Sequence, residues 1–348
     1  MMRRSITLLL TAGAIAPAVP ATAAAQSTPA PAAPKLSITT EQVSVSGGRA
    51  SALTGRQWRV RIVLSPLVAG QTAVVRFYRD GRRVQAAQLP LAPSPTGQSA
   101  FTVFSYKAAK PGRIIVKATH FATPQLATIK AKPVGVSIVA PSARPGARGP
   151  VVRMLQGQLA QRGYVVGRPG LYDTRTARAV LAFRKVTGMR RTDIASSDVF
   201  RRLARGGGQF RVKFPSHGRH VEADLSRQVI ALISGSKVER IYPVSSGKPS
   251  TPTIEGHFKV YLKSPGTNAK GMYMSSYFIR GYAIHGYPSV PVFPASHGCV
   301  RVPNTEAVSI FRWLSRGDIV DVDSSGAAAS STSSESTAAI PPRANAAR

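Results

Sequence analysis

A multidomain, mainly β chain is predicted by three changes in the spacing of apolar residues. Between residues 35 and 140, short runs alternate apolar and polar side chains, the period of a half-buried strand. Between 151 and 205 apolar residues recur about every 3.6 positions, the period of a helix. Between 211 and 323 strand-like runs return. The expected order is a β-sandwich, a small three-helix domain and a second β-rich domain.

At the N-terminus, Arg3 and Arg4 precede an apolar run from Ile6 to Val19 and a small-residue end at Ala21 to Ala25. Residues 1–25 therefore read as a secretory signal peptide. The apolar core is short for a membrane span, and no span is expected after its cleavage. Residues 26–34 are a Pro/Ala linker. In 35–140, Trp58, Val60 and Ile62 face one way and Arg59 and Arg61 the other. Asp80-Gly81 reads as a hairpin turn, and Pro93 to Gly97 and Pro111-Gly112 as further turns. Short strands at this spacing predict an immunoglobulin-like sandwich.

Residues 141–150 are a second linker. Val152, Leu155 and Leu159 then mark one helix, ending near Gly163. Ala177, Val180, Leu181 and Phe183 mark another, with Asp173 or Thr174 as its cap and Gly188 as its close. Val199, Phe200 and Leu203 mark a third. Gly206 to Gly208, within 206–210, read as a flexible joint. Residues 324–348, rich in Ser, Ala and Thr, read as a disordered tail.

Charge narrows the partners. Lys and Arg number 47 against 14 acids, a net +33. Residues 35–140 hold 15 basic and 2 acidic residues, 141–210 hold 14 and 3, and 211–323 hold 14 and 8. An excess concentrated upstream suits an anionic partner, either nucleic acid or a cell-wall polymer. Export disfavours nucleic acid and leaves the wall polymer.

Cys299 is the only cysteine, so an internal disulfide is excluded and the thiol is a candidate reactive group. It sits in Ser296-His297-Gly298-Cys299-Val300-Arg301. Upstream lies Ala283-Ile284-His285-Gly286, separated by the nine residues Tyr287 to Ala295. An imidazole can take a thiol proton and leave the nucleophilic thiolate. From the residues alone, either His285 or His297 can reach the sulfur. The amides of Gly298 and Cys299 are candidate oxyanion donors. Ser296 reads as a turn residue. Tyr273, Tyr277, Phe278 and Tyr282, just upstream, could line the groove, though core packing is the commoner fate of aromatics in strands. His217 and His220 are followed by no acid or thiol at ligand spacing, His257 reads as packing or surface, and His120 belongs to the first β region. No metal or cofactor is expected.

The two blocks resemble the signature of YkuD-type L,D-transpeptidases. The resemblance runs from about His220 to Val322 and takes in Asp224 to Gln228, Ser246-Gly247, Thr251 to Gly256 and Gly317 to Val320. It implies that Cys299 is the nucleophile, that His285 is the base and that the Gly286 carbonyl orients its ring. It places His297 beside the oxyanion site and gives Arg301 a loop-ordering or substrate-pairing role. The implied substrate is the peptidoglycan stem peptide, cut with release of D-alanine and cross-linked through a thioester. The alternatives are an L,D-carboxypeptidase on the same site and a non-catalytic wall-binding protein. Val152 to Gln156, Gly163-Tyr164, Gly170 to Asp173 and Phe183-Arg184 are similar to the three-helix peptidoglycan-binding domain, which implies that fold, with glycan binding or a helical spacer that binds nothing as the alternatives. The expected location, from the signal peptide, is the cell wall, the periplasm or the extracellular space.

Overall fold

The structure is a computed structural model that describes residues 33–325. The signal peptide expected at 1–25, most of the linker at 26–34 and the tail beyond Ser325 lie outside the described residues. The fold is mainly β, in several sheets, as expected.

Eleven strands build the first domain: β1 (Lys35–Glu41), β2 (Ser44–Ser46), β3 (Arg49–Leu53), β4 (Gln57–Ser65), β5 (Thr72–Arg79), β6 (Arg82–Pro90), β7 (Ala92–Pro93), β8 (Ala100–Lys107), β9 (Gly112–His120), β10 (Ile129–Lys130) and β11 (Val134–Val139). They form two sheets, ordered β1-β4-β8-β7 and β2-β3-β11-β9-β5-β6, with β10 added to β9. The alternation read from the sequence is the alternation observed. Trp58, Val60 and Ile62 are fully buried, and Trp58 meets Phe77 of the opposite sheet edge-on at 6.2 Å. Asp80 and Gly81 both take positive φ, 49° and 77°, as the tight β5–β6 hairpin requires.

Three helices follow: α1 (Pro150–Ala160), α2 (Thr174–Val186) and α3 (Ser197–Ala204). Proline opens α1, where its missing N–H costs no bond. Asp173 caps α2 by accepting the Thr176 amide at 2.9 Å. Gly188, one residue past the C-cap, takes φ 67°.

The last domain contains β12 (Arg219–Asp224), β13 (Val229–Ser234), β14 (Lys237–Pro243), β15 (Gly256–Lys259), β16 (Leu262–Thr267), β17 (Tyr273–Ile279), β18 (Tyr282–Tyr287), β19 (Val300–Pro303), α4 (Asn304–Trp313) and β20 (Ile319–Asp323). One sheet runs β14-β13-β12-β20-β15 and the other β16-β17-β18-β19. Their core includes Val221, Ile230, Leu232, Ile284, Val300, Val302 and Val320, with Ala307 and Ile310 of α4.

The helices are built onto this domain. Val229, Ala231 and Ile233 of β13 and Ile241 of β14 share a core with Leu155, Leu159, Val180, Phe183 and Leu203. Strand β13 is therefore covered on both faces, which explains its unbroken apolar run Val229 to Ile233. Arg175 of α2 pairs with Glu306 of α4 at 2.7 Å. Arg191 donates to the Val292 and Ser226 carbonyls at 3.0 and 2.9 Å. Side chains of the helical region hydrogen-bond the backbone around Gly206 to Gly208. Arg162 holds the Leu203 and Gly207 carbonyls, each at 2.8 Å, and the Tyr164 hydroxyl donates to Gly208 at 2.7 Å.

Candidate active site

Parallel pairing of β18 with β19 assembles the centre. His285 lies opposite Arg301, and Ile284 opposite Val300. Paired residues of neighbouring strands project to the same side, and residues two apart share a face. His285, Arg301 and Cys299, the residue just before β19, therefore face the same way. Ile284, Val300 and Val302 point into the core. The first group lines a cleft of about 440 Å³, together with Lys270, Met272, Tyr282, Tyr287 and His297.

His285 is 3% exposed, and its Nδ1 lies 2.9 Å from the Gly286 carbonyl oxygen. A carbonyl only accepts, so Nδ1 carries the proton and Nε2 keeps its lone pair. Burial, assisted by the Arg301 cation, lowers the ring's pKa to about 4. His297 lies on the rim, exposed. The two histidines that the sequence left as alternatives thus differ in burial and in having an orienting partner.

Cys299 is half-buried and reaches the cleft, with Sγ 3.8 Å from the Gly281 carbonyl. Burial raises its pKa, against the Ala283 amide and the charges of Arg301 and Lys270. Near neutral pH the thiol and the imidazole that share this cleft are both uncharged.

The loop carrying the cysteine is clamped from two directions. Ser296 Oγ donates to the Cys299 carbonyl at 2.6 Å and accepts the Gly298 amide at 3.1 Å. Thr253 Oγ1 donates to the Gly298 carbonyl at 2.8 Å and accepts the Gly247 amide at 2.9 Å. The Ser246 carbonyl takes the amides of Ala295 and Ser296, each at 2.9 Å. Arg301 and Ser245 exchange backbone bonds at 2.9 and 3.1 Å. The segment from Ser245 to Thr253 is thus the scaffold of the cysteine loop. Gly298 takes φ 115°, and a Cβ there would lie 2.5 Å from the Tyr282 ring. At Gly286 a Cβ would fall 2.7 Å from Ala307 of α4, so that glycine lets the helix close against the strand.

One expectation changes. The Gly298 amide was a candidate oxyanion donor, but it already donates to Ser296 Oγ. Sequence places two successive N–H groups in the loop; only the folded turn decides where each one points.

Arg301 lies 4.1 Å above the Tyr287 ring, and Tyr287 meets His285 edge-on at 5.8 Å. The guanidinium is held at the cleft by cation–π contact. Of the aromatics that could line the groove or pack in the core, Tyr282 lines the cleft, and Lys270 adds a second cation. The approach of the Tyr282 ring to Gly298 is a contact of the folded chain. No sequence signal marked Lys270, which stands 29 positions before the cysteine.

Residues 218–322 match the family model of the L,D-transpeptidase catalytic domain, YkuD. An L,D-transpeptidase structure from Xylanimonas cellulosilytica is 32% identical over 52% of this chain and 97% of that one, with a TM-score of 0.49. The chain belongs to the YkuD L,D-transpeptidase family. The YkuD domain is also similar to the catalytic domain of the Enterococcus faecium L,D-transpeptidase, at 27% identity over 31% of this chain and 98% of that one, with a TM-score of 0.28. An L,D-transpeptidase from Stackebrandtia nassauensis is 20% identical over 53% and 98%, with a TM-score of 0.34. No curated protein matches the chain. Among the described residues, no helix is long and apolar enough to cross a membrane.

Proposed function

We propose that the protein is an exported cysteine L,D-transpeptidase that cross-links peptidoglycan stem peptides. The observation that carries this reading is the cleft shared by Cys299 and a buried His285 whose Nδ1 is fixed on the Gly286 carbonyl. A fixed tautomer presents a lone pair at Nε2, the property a base needs before a weakly acidic thiol can attack.

In this reading Cys299 Sγ attacks the carbonyl carbon that precedes the terminal D-alanine, and its proton passes to His285 Nε2. The carbonyl electron pair becomes an oxyanion, met by the Cys299 amide. The Gly298 amide is engaged by Ser296, so it supports the turn in place of the oxyanion. When the tetrahedral species collapses, the C–N bond breaks and the imidazolium returns its proton to the leaving amine. An acyl thioester and free D-alanine result. The amine of a neighbouring stem then attacks the thioester and yields its proton to His285, and the thiolate is released and reprotonated. Arg301 and Lys270 give the cleft a positive field suited to a carboxylate-bearing stem.

The test is incubation of the purified chain with tetrapeptide muropeptides, followed by mass spectrometry. D-alanine release with dimer formation is expected, and Cys299→Ala abolishes both. D-alanine release without dimers, in the presence of acceptor stems, establishes a carboxypeptidase. Activity retained in Cys299→Ala removes the cysteine mechanism.

A further inference from the structure

Away from the cleft, the outer face of β12 and β20 concentrates acid in a basic protein. Glu222, Asp224, Asp321 and Asp323 are four of only 14 acidic residues. They lie on one face because Glu222 pairs with Asp321, and Asp224 with Asp323, in the parallel β12–β20 register. The segment leading to β12 passes across them. Three of the four have fixed donors. Arg227 meets Asp224 at 2.7 Å, Lys213 meets Asp323, and the amides of Lys213 and Phe214 meet Glu222 at 2.7 and 2.8 Å.

Asp321 differs. It is 1% exposed, and its partners are two imidazoles. His217 Nδ1 lies 3.1 Å from both of its oxygens, and His257 Nδ1 2.6 Å from Oδ1. The three groups come from three elements: the turn Pro215–His217, strand β15 and strand β20. Their donor atoms lie within 4.8 Å of one another. Phe214 stacks on His217 at 5.3 Å and meets His257 edge-on at 4.7 Å, which holds both rings toward the carboxylate. His220 adds a supporting layer, with Nδ1 on the Gly218 carbonyl at 2.9 Å and Nε2 3.3 Å from Glu222 Oε1. Glu222 Oε2 is buried without a partner among the described residues.

We propose that His217, His257 and Asp321 bind a divalent transition-metal ion, zinc by preference. Two imidazole nitrogens and one carboxylate oxygen are the donors of an open zinc site. Tetrahedral bonds of about 2.1 Å set donor atoms about 3.4 Å apart, so the two close contacts open by less than about 1 Å on binding. The ion takes the place of the Nδ1 protons that now face Asp321. Each ring then carries its proton on Nε2. The fourth position faces solvent past His257, which is 57% exposed. The sequence hid this site because the carboxylate is supplied 104 positions after His217. The ion ties the strap before β12 to both strands of the sheet edge, so it stabilises the seat of the YkuD domain and leaves the distant thiol alone.

Zinc titration of the full chain by calorimetry, with bound metal counted after dialysis, tests the site. The Cys299→Ala background removes the thiol as a competing ligand. A single zinc ion is expected there, with a raised melting temperature, and magnesium gives neither effect. His257→Gln, at an exposed position, and Asp321→Asn each weaken zinc at least about tenfold and abolish the thermal shift. Circular dichroism without metal checks that both variants fold. Zinc held equally by these variants overturns the proposal, as does zinc bound by the wild type and lost in Cys299→Ala. Failure of the transpeptidase reading leaves this test unaffected, because it reads metal and melting alone.

Discussion

His285 is neutral because it is buried, and that sets two pH dependences. Its ordinary pKa of 6.5 falls to about 4 in the folded chain. Between these values the unfolded chain binds a proton that the folded chain refuses. The contribution to stability is thus complete above pH 6.5 and is lost as pH falls toward 4. The base is equally available down to about pH 4. Acylation of Cys299 by a thiol-reactive carbapenem is expected to keep its rate from pH 7 to 5 and fall near 4. A midpoint near 6.5 would assign the titration to a solvated ring. His285→Ala should slow acylation by about 10²–10⁴-fold, and His297→Ala by much less. Sequence alone could not separate these rings, since their distinction is burial and a carbonyl partner.

Among the elements, the segment Ser245 to Thr253 has the most influence on the site without contributing a reacting atom. Thr253 Oγ1 joins the Gly247 amide to the Gly298 carbonyl and so bridges the two segments. Thr253→Val keeps the volume but leaves a buried donor and acceptor without their partner, a cost of about 1–3 kcal/mol. The expected result is a lower melting temperature and a larger proportional loss of acylation, with the far-ultraviolet spectrum unchanged. Full acylation in this variant would show that the loop holds its shape through Ser246 and Ser296. The Thr251 to Gly256 block carried the family resemblance in sequence, but its task as a clamp was invisible there, since it lies 45 positions from the loop it holds.

Across the molecule, the helices and the YkuD domain answer to one core, and Lys185 stands at their junction. It is 3% exposed and donates to the Gln228 and Val244 carbonyls at 3.0 and 2.9 Å. Burial, with a smaller push from Arg191, lowers its pKa from 10.5 to about 7. Between pH 7 and 10.5 the unfolded chain holds a proton that the folded chain has shed. Stability from this group therefore rises with pH across that window and is lowest below 7. Urea unfolding at pH 7 and 9.5 is expected to show the increase, and Lys185→Met to flatten it. An equal pH response in the variant would place the titration elsewhere. Val244 precedes the Ser245 clamp directly, so this junction links the helices to the scaffold of the cysteine loop.

Local pattern carried what depends on neighbours in the chain. Alternation at Trp58 to Ile62 gave a strand with its buried face, Asp80-Gly81 a hairpin, Asp173 a helix cap, and the His-Gly and Ser-His-Gly-Cys blocks the family. Each is decided by backbone sterics or by residues a few positions apart, and such information is written consecutively. Long-range placement needed the folded chain. Only strand register brings Asp321 to His217, only closure of α4 explains why Gly286 has no side chain, and only the turn at Ser296 engages the Gly298 amide. Burial is a property of surroundings assembled from distant segments, and it is burial that sets the charge of His285, Cys299 and Lys185.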